Sequence, residues 1–333
     1  MINHDIEIIA NLPYSWGKIE NSTIMISGGT GFIGSLLIEV IKYRNAHFNS
    51  NIKVVSISRH EHTENEAIKY IKADITEGIS FNENVDYILH LASNTHPKQY
   101  AEDPVGTITT NIIGCNNLLK IAKELHIKRF LLASSVEIYG EGTPSPMDEL
   151  YSGYINCNLA RSGYNESKRT SESLCQAYRQ QYGLDSVIVR LARVFGVDKK
   201  HDTKAMSQFI DKALAGENIV LKSKGQQRFS YVYVADAVSA ILKVLLDGES
   251  GEAYNVAADD EGFTLGEYAE YIAGLAGMKV VYELEQNDSV SKANYALLDS
   301  SKLKKIGWKP YFSVSEGLKQ TYQFRKNAKI IND

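Results

Sequence analysis

Thr23-Ile24-Met25-Ile26-Ser27-Gly28-Gly29-Thr30-Gly31-Phe32-Ile33-Gly34 leads from a β-branched apolar run, through glycines at 28, 31 and 34, into apolar residues at helical spacing: Phe32, Leu36, Leu37, Val40 and Ile41. Strand, glycine turn and helix in that order open a βαβ unit. A pyrophosphate approaches backbone only where side chains are absent, and a helix start offers free N–H groups and the positive dipole end. A tight turn alone would use the same glycines for backbone geometry. The strand before the turn and the helix after it favour a dinucleotide site. Gly28, Gly31, Phe32, Ile33 and Gly34 are its candidate residues.

Outward from this turn the alternation continues. Strands are expected at Lys53 to Ser58, Tyr70 to Lys72, Tyr87 to Leu91, Arg129 to Ser134 and Val187 to Leu191. Helices are expected at Asn111 to Leu125 and Tyr164 to Tyr182. Strands alternating with helices imply an α/β fold, a Rossmann-type doubly wound parallel sheet. After about residue 196 the alternation gives way to polar segments such as Asp198 to Lys204 and Lys222 to Gln227. The expected organisation is therefore an N-terminal arm (1–21), a dinucleotide-binding domain (22–196) and a smaller C-terminal substrate-binding α/β region (197–230 and 259–333). Residues 231–258, strand then helix, return to the first domain. Ile6, Ile8, Ile9, Leu12 and Trp16 mark the arm as packed.

The 333 residues suffice for two domains at about 150 each. Apolar residues make up 44% and charged residues 23%, which excludes a disordered or fibrous chain. A net charge of −4 supplies no basic field for nucleic acid or a membrane surface. Cys115, Cys157 and Cys175 form no CxxC pair and are odd in number, which points to a reducing cytoplasm. No signal peptide or membrane span is legible. No metal is expected: the eight histidines form no HExxH pair, and His90 at a strand end reads as packed.

The second strand ends in Ser58-Arg59 where an acidic residue would bind a ribose 2′-hydroxyl. Guanidinium and hydroxyl both donate to a 2′-phosphate, so of NAD and NADP the pair leans toward NADP. Asp74 is placed to accept from the adenine amino group. Tyr164 and Lys168 lie on one helix face, where the ammonium lowers the tyrosine pKa from its usual value near 10. Chance alone yields about two such pairs in a chain of this composition, and Tyr14 with Lys18 and Tyr322 with Lys326 share the spacing. What distinguishes Tyr164 is its place, following a strand end that carries hydroxyls and a carboxylate, Ser134 to Gly140.

Gly28 to Gly34, the His90-Leu91-Ala92-Ser93 segment, SSVEIYG at 134–140 and YNESK at 164–168 together resemble the extended short-chain dehydrogenases of the NAD-dependent epimerase/dehydratase type, which act on nucleotide sugars. The likeness continues through Arg190 to Gly196, Tyr233 to Asp236 and Asp299 to Leu303, covering residues 22 to about 320. It implies that Ile75, Leu91, Ala92, Ser93 and Asn111 join the cofactor site. It also implies that Tyr164 is the base at the sugar C4 hydroxyl, Ser135 holds the reacting oxygen, and Lys168 holds the nicotinamide ribose. The helices containing Leu118, Leu119, Ala122 and Leu125 and beginning at Tyr164 would form a homodimer bundle.

Oxidation at C4 gives a 4-keto sugar that can lose water, lose carbon dioxide or be reduced from its other face. Glu137 matches the glutamate of 4,6-dehydratases and decarboxylases, while Val136 stands where dehydratases carry a proton-donating aspartate. Arg161 to Arg169 is similar to the Arg-x-x-Tyr-x-Glu-x-Lys-Arg run of UDP-glucuronate decarboxylases, and Arg161 is placed to anchor a substrate carboxylate. Decarboxylation therefore ranks first. Two departures bear on it. Arg193 stands where asparagine is usual, and the diphosphate-binding arginine falls on Phe229, with Arg228 one residue early. Either a bulge returns Arg228 to the pocket or Arg193 serves instead. An NADPH-dependent 4-keto-sugar reductase and a non-catalytic dinucleotide-sensing protein are the alternatives.

Overall fold

The computed structural model describes residues 2–60, 68–79, 84–94, 101–197, 204–259, 261–284 and 295–332. Most of the Asp198 to Lys204 segment lies outside them. Strands β1 (Thr23–Ser27), β2 (Lys53–Ser58), β3 (Ile68–Lys72), β4 (Tyr87–His90), β5 (Arg129–Ser135), β6 (Ser186–Leu191) and β11 (Ala253–Val256) form a seven-stranded sheet. Its order is β11-β6-β5-β4-β1-β2-β3, and every pairing is parallel.

Successive strand residues point to opposite faces, and both faces are buried. Ile24, Ile26, Val54, Leu89, Leu131 and Val189 belong to one core, and Met25, Val55, Ile88, Phe130, Leu132 and Ile188 to the other. That is why these strands read as nearly continuous apolar runs. The first core is closed by Leu37 and Ile41 of α2 (Phe32–Phe48) and by the apolar helix Val234–Asp247. The second is closed by Leu118, Leu119 and Ala122 of the helix Cys115–Glu124, and by Cys175 of the helix Ser162–Tyr182.

The arm is a helix, α1 (Ile2–Ala10), followed by a 3-10 turn, Trp16–Lys18. Ile6, Ile9 and Trp16 are buried, and the buried Asp5 carboxylate accepts a 2.7 Å bond from the Tyr233 hydroxyl. The helix expected from Asn111 begins earlier. Asp103 caps α3 (Pro104–Thr109) by accepting from the Gly106 N–H at 2.9 Å, with Pro104 in the first turn. One π-helical turn, Thr110–Gly114, then leads into α4 (Cys115–Glu124).

Beyond β6, the strand β7 (Arg193–Phe195) leaves the main sheet and pairs with β10 (Tyr231–Tyr233). The pairs β8–β12 (Ile219–Leu221 with Val280–Tyr282) and β9–β13 (Arg228–Phe229 with Tyr295–Ala296) stand apart from it likewise.

Candidate active site

Strand order reverses between β1 and β4, and the crevice beyond their C-terminal ends is where an open α/β sheet binds ligands. Gly28 follows β1 with φ +78°, and a Cβ there would come within 2.8 Å of the Ala92 amide nitrogen. A Cβ at Gly34 would overlap the Gly28 carbonyl oxygen and lie 2.7 Å from the Gly29 Cα. Gly31 precedes α2 and supplies no side-chain cap, so the first helical N–H groups are left for a ligand. The turn is thus a side-chain-free cradle at a helix N-terminus, which fits a dinucleotide pyrophosphate.

The crevice walls come from β2, β3 and β4. Ser58 closes β2, where its hydroxyl accepts from the His60 N–H at 3.2 Å, and Arg59 beside it is exposed. Asp74 accepts from the Thr76 backbone N–H at 2.8 Å and the Thr76 hydroxyl at 2.7 Å, which hold its carboxyl below the usual range; Arg59 adds to this. Ile75 is buried against Gly114, where a Cβ would meet its side chain at 2.6 Å. Leu91, Ala92 and Ser93 follow β4, and the Leu91 N–H donates to the Ser27 carbonyl at 3.0 Å. Buried His90 places Nδ1 2.7 Å from Ser27 Oγ, and burial pushes its pKa down to about 3, leaving a neutral ring.

The candidate reacting end is built on α5 (Ser162–Tyr182), which brings Lys168 to the C-terminal end of β5, with Tyr164 one turn before it on the same helix. Both are buried. Lys168 Nζ donates to the Ala133 carbonyl at 2.9 Å, and burial lowers its pKa to about 8. Ser135 caps the short 3-10 turn Val136–Tyr139, its hydroxyl accepting from the Glu137 N–H at 3.2 Å. Asn165 donates to the Glu137 carbonyl at 2.7 Å, tying that turn to the residue beside Tyr164.

Asn111 lies in the π turn, whose widened ring releases its carbonyl to accept from Ser171 Oγ at 2.9 Å. Its side chain links the two ends of the crevice. The Ser93 hydroxyl donates to Asn111 Oδ1 at 2.8 Å, Asn111 Nδ2 donates to Ser167 Oγ at 2.9 Å, and Ser167 Oγ donates to the Tyr164 carbonyl at 2.8 Å.

The arginines divide. Arg193 on β7 stacks on the Phe229 ring at 3.8 Å and stands 3.7 Å from Glu137 Oε1. Arg228 exerts its charge on Glu267, while its neighbour Phe229 faces Arg193, as alternation along β9 dictates. Arg161 is exposed immediately before α5. The other spaced tyrosine–lysine pairs lie elsewhere: Lys18 pairs with Asp247, and Lys326 stacks over Tyr322.

A family model described as NAD dependent epimerase/dehydratase family matches residues 24–257. This chain belongs to that family. It is 33% identical over 322 residues to UDP-glucuronic acid decarboxylase 3 of Arabidopsis thaliana, covering 92% of this chain and 91% of that protein. It is 31% identical over 313 residues to UDP-glucuronic acid decarboxylase 1 of Danio rerio, covering 92% and 73% respectively. Among solved structures, UDP-glucose 4-epimerase of Thermotoga maritima superposes with a TM-score of 0.77 at 24% identity, covering 92% of this chain and 99% of that one. The dTDP-glucose 4,6-dehydratase of Streptomyces venezuelae, solved with NAD, gives 0.77 at 23% identity, covering 92% and 98%.

Several residues of this epimerase/dehydratase site escaped sequence reasoning. Ser167, Ser171 and Asn165 sit inside or beside the Tyr164 to Lys168 motif, but nothing in their spacing shows that they brace Asn111 and Glu137. Glu172, one turn after Lys168, accepts from Arg190 Nη2 at 2.7 Å and Nε at 3.1 Å. That pair joins α5 to β6, the strand that follows it, across 18 positions. No helix among the described residues is long and apolar enough to cross a membrane, and none of their acidic, cysteine and histidine groups clusters as a metal site.

Proposed function

We propose that this enzyme decarboxylates UDP-glucuronate through a transient 4-keto sugar. What supports the reading is the end of β5, where Glu137 bonds Ser135 and Asn165, the residue after Tyr164, and Lys168 bonds Ala133, with Val136 between Ser135 and Glu137 buried in the core. Valine gives no proton to a leaving hydroxyl, which favours loss of carbon dioxide over loss of water.

Tyr164 takes the proton of the C4 hydroxyl, and the Lys168 ammonium favours the phenolate. Ser135 Oγ already accepts from the Glu137 N–H, so its own proton is available to the developing C4 oxyanion. Bound NAD supplies acceptance of hydride from C4 and its return. With C4 a ketone, the electron pair of the C5–C6 bond passes toward the carbonyl as carbon dioxide leaves, and C5 takes a proton from solvent in place of the lost carboxylate. Tyr164 then gives its proton back to the C4 oxygen.

The test is to incubate UDP-glucuronate with the protein and NAD and follow nucleotide-sugar mass and cofactor absorbance. A loss of about 44 mass units without net cofactor reduction is expected. A loss of about 18 would assign dehydration instead. In a parallel incubation with NADPH in place of NAD, its stoichiometric consumption would assign the reductase reading.

Two finer points belong to the same proposal. Ser58 and exposed Arg59 support the 2′-phosphorylated dinucleotide, a choice read from the affinities for NAD and NADP. Val105, Ile113, Leu159 and Tyr182 expose apolar side chains on α3, the π turn, the turn before α5 and the end of α5, which supports pairing with a second copy, tested by light scattering. Three free cysteines accord with a reducing compartment.

A further inference from the structure

Arg193 carries more hydrogen-bonding capacity than its surroundings use. A guanidinium has five N–H donors in a fixed plane. Here that plane is held against the Phe229 ring, 3.8 Å from Cζ to centroid, so its position is set by stacking. Its anionic partner is Glu137, with Nη2 3.7 Å from Oε1. That exceeds the roughly 2.7–2.9 Å of a charge-assisted hydrogen bond. Nη1 is buried and has no acceptor among the described residues. Tyr231, the cross-strand partner of Arg193, is a buried neighbour on which its charge also acts. The cation is therefore pre-positioned and under-satisfied.

Its location identifies the end of the substrate it serves. Glu137 donates its backbone N–H to Ser135 Oγ at 3.2 Å and accepts from Asn165, the residue after Tyr164, at 2.7 Å. The group opposite Arg193 is thus bonded to both halves of the reacting end. We propose that Arg193 recognises a carboxylate on the sugar of the nucleotide-sugar substrate, taking it in place of the Glu137 carboxylate. A carboxylate matches the planar fork bidentately, as Glu137 at its present distance does not. Displacement also frees Glu137 from its cation at the moment substrate enters. The inference rests on the decarboxylase reading only in taking the sugar to be a uronate.

The experiment titrates the full chain loaded with NADH, which cannot accept hydride from C4 and so prevents turnover, with UDP-glucuronate and with UDP-glucose by calorimetry, in wild type, Arg193→Gln and Arg193→Lys. Wild type is expected to bind UDP-glucuronate more tightly. Arg193→Gln is expected to lose on the order of 10- to 100-fold for UDP-glucuronate, the scale of a charged hydrogen bond, with UDP-glucose held within about twofold. Arg193→Lys, which keeps the charge without the planar fork, recovers part of the loss. Melting temperature and NAD affinity check that each variant is folded, and the lysine variant decides if the glutamine variant is not. Equal losses for both ligands would move the guanidinium to the diphosphate and overturn the proposal, as would wild-type affinities in both variants. Absence of carbon dioxide from wild type, with the affinity pattern intact, overturns the decarboxylase reading alone.

Discussion

Gly34→Ala is the smallest change that closes the dinucleotide cradle. The new Cβ would overlap the Gly28 carbonyl oxygen and stand 2.7 Å from Gly29 Cα and 3.0 Å from the Gly28 carbonyl carbon, all backbone atoms. Backbone cannot swing aside as a side-chain tip can, so the start of α2 must retreat from the turn. Hydrogen bonds from N–H groups to a charged phosphate contribute about 1.5–3 kcal/mol each. Losing the equivalent of one weakens NAD binding by roughly 10- to 150-fold. Calorimetric titration of NAD into the apo protein reads this directly. Gly274→Ala is the matched control: it lies in the helix Leu265–Leu275 with nothing within 4 Å of a new Cβ. It should leave NAD affinity alone and raise stability by up to about 1 kcal/mol. NAD binding to Gly34→Ala within about twofold of wild type, a change of under about 0.5 kcal/mol, would refute the assignment of the cradle.

Two further outcomes are expected. Burial raises the Asp236 pKa to about 7, against the two backbone N–H groups of Tyr311 and Phe312 that it accepts at 2.7 and 3.0 Å. The folded state then binds the proton more tightly than the unfolded one, so the contribution of this group to stability is greatest at low pH. About 4 kcal/mol is lost as pH rises from near 4 through 7. His90, held neutral by burial, adds an opposing rise up to about pH 6.5 in both proteins, so the readout is the difference between them. By urea denaturation Asp236→Asn should gain about 3 kcal/mol relative to wild type between pH 5 and pH 8; a difference that does not change with pH would exclude Asp236 as its source. Arg59→Ala should shift the NADP-to-NAD affinity ratio toward NAD by roughly tenfold or less, since the side chain is exposed; an unchanged ratio would remove Arg59 from the 2′-phosphate site.

The sheet was legible because its strands are buried on both faces and separated by helices of clear 3.6-residue spacing. Met25 and Ile26 belong to opposite cores, yet both are apolar, so the run could be read without knowing which face is which. The glycine turn was legible for a related reason: Gly28 and Gly34 are forced by backbone contacts that admit no Cβ. Boundaries fixed by local capping were less so. The start of α3 depends on Asp103, and the π turn at Asn111 depends on Ser171, which lies 60 positions away. Periodicity carries no information about a bond of that kind. The arginines illustrate the same limit. Alternation along β9 separates Arg228 from Phe229, but the stacking of Arg193 on Phe229 joins two strands that the sequence does not pair. The arm read as packed from Ile6, Ile9 and Trp16, whereas its anchor, the Asp5–Tyr233 hydrogen bond across 228 positions, was hidden.

The turnover of UDP-glucuronate by Tyr164→Phe probes the chemistry at its centre. The phenyl ring keeps the packing of a buried side chain and removes the one oxygen assigned to the C4 proton. The expected result is a loss of carbon dioxide formation by roughly 100-fold or more with NAD affinity retained. Turnover at the wild-type rate, with the cofactor bound, would contradict it.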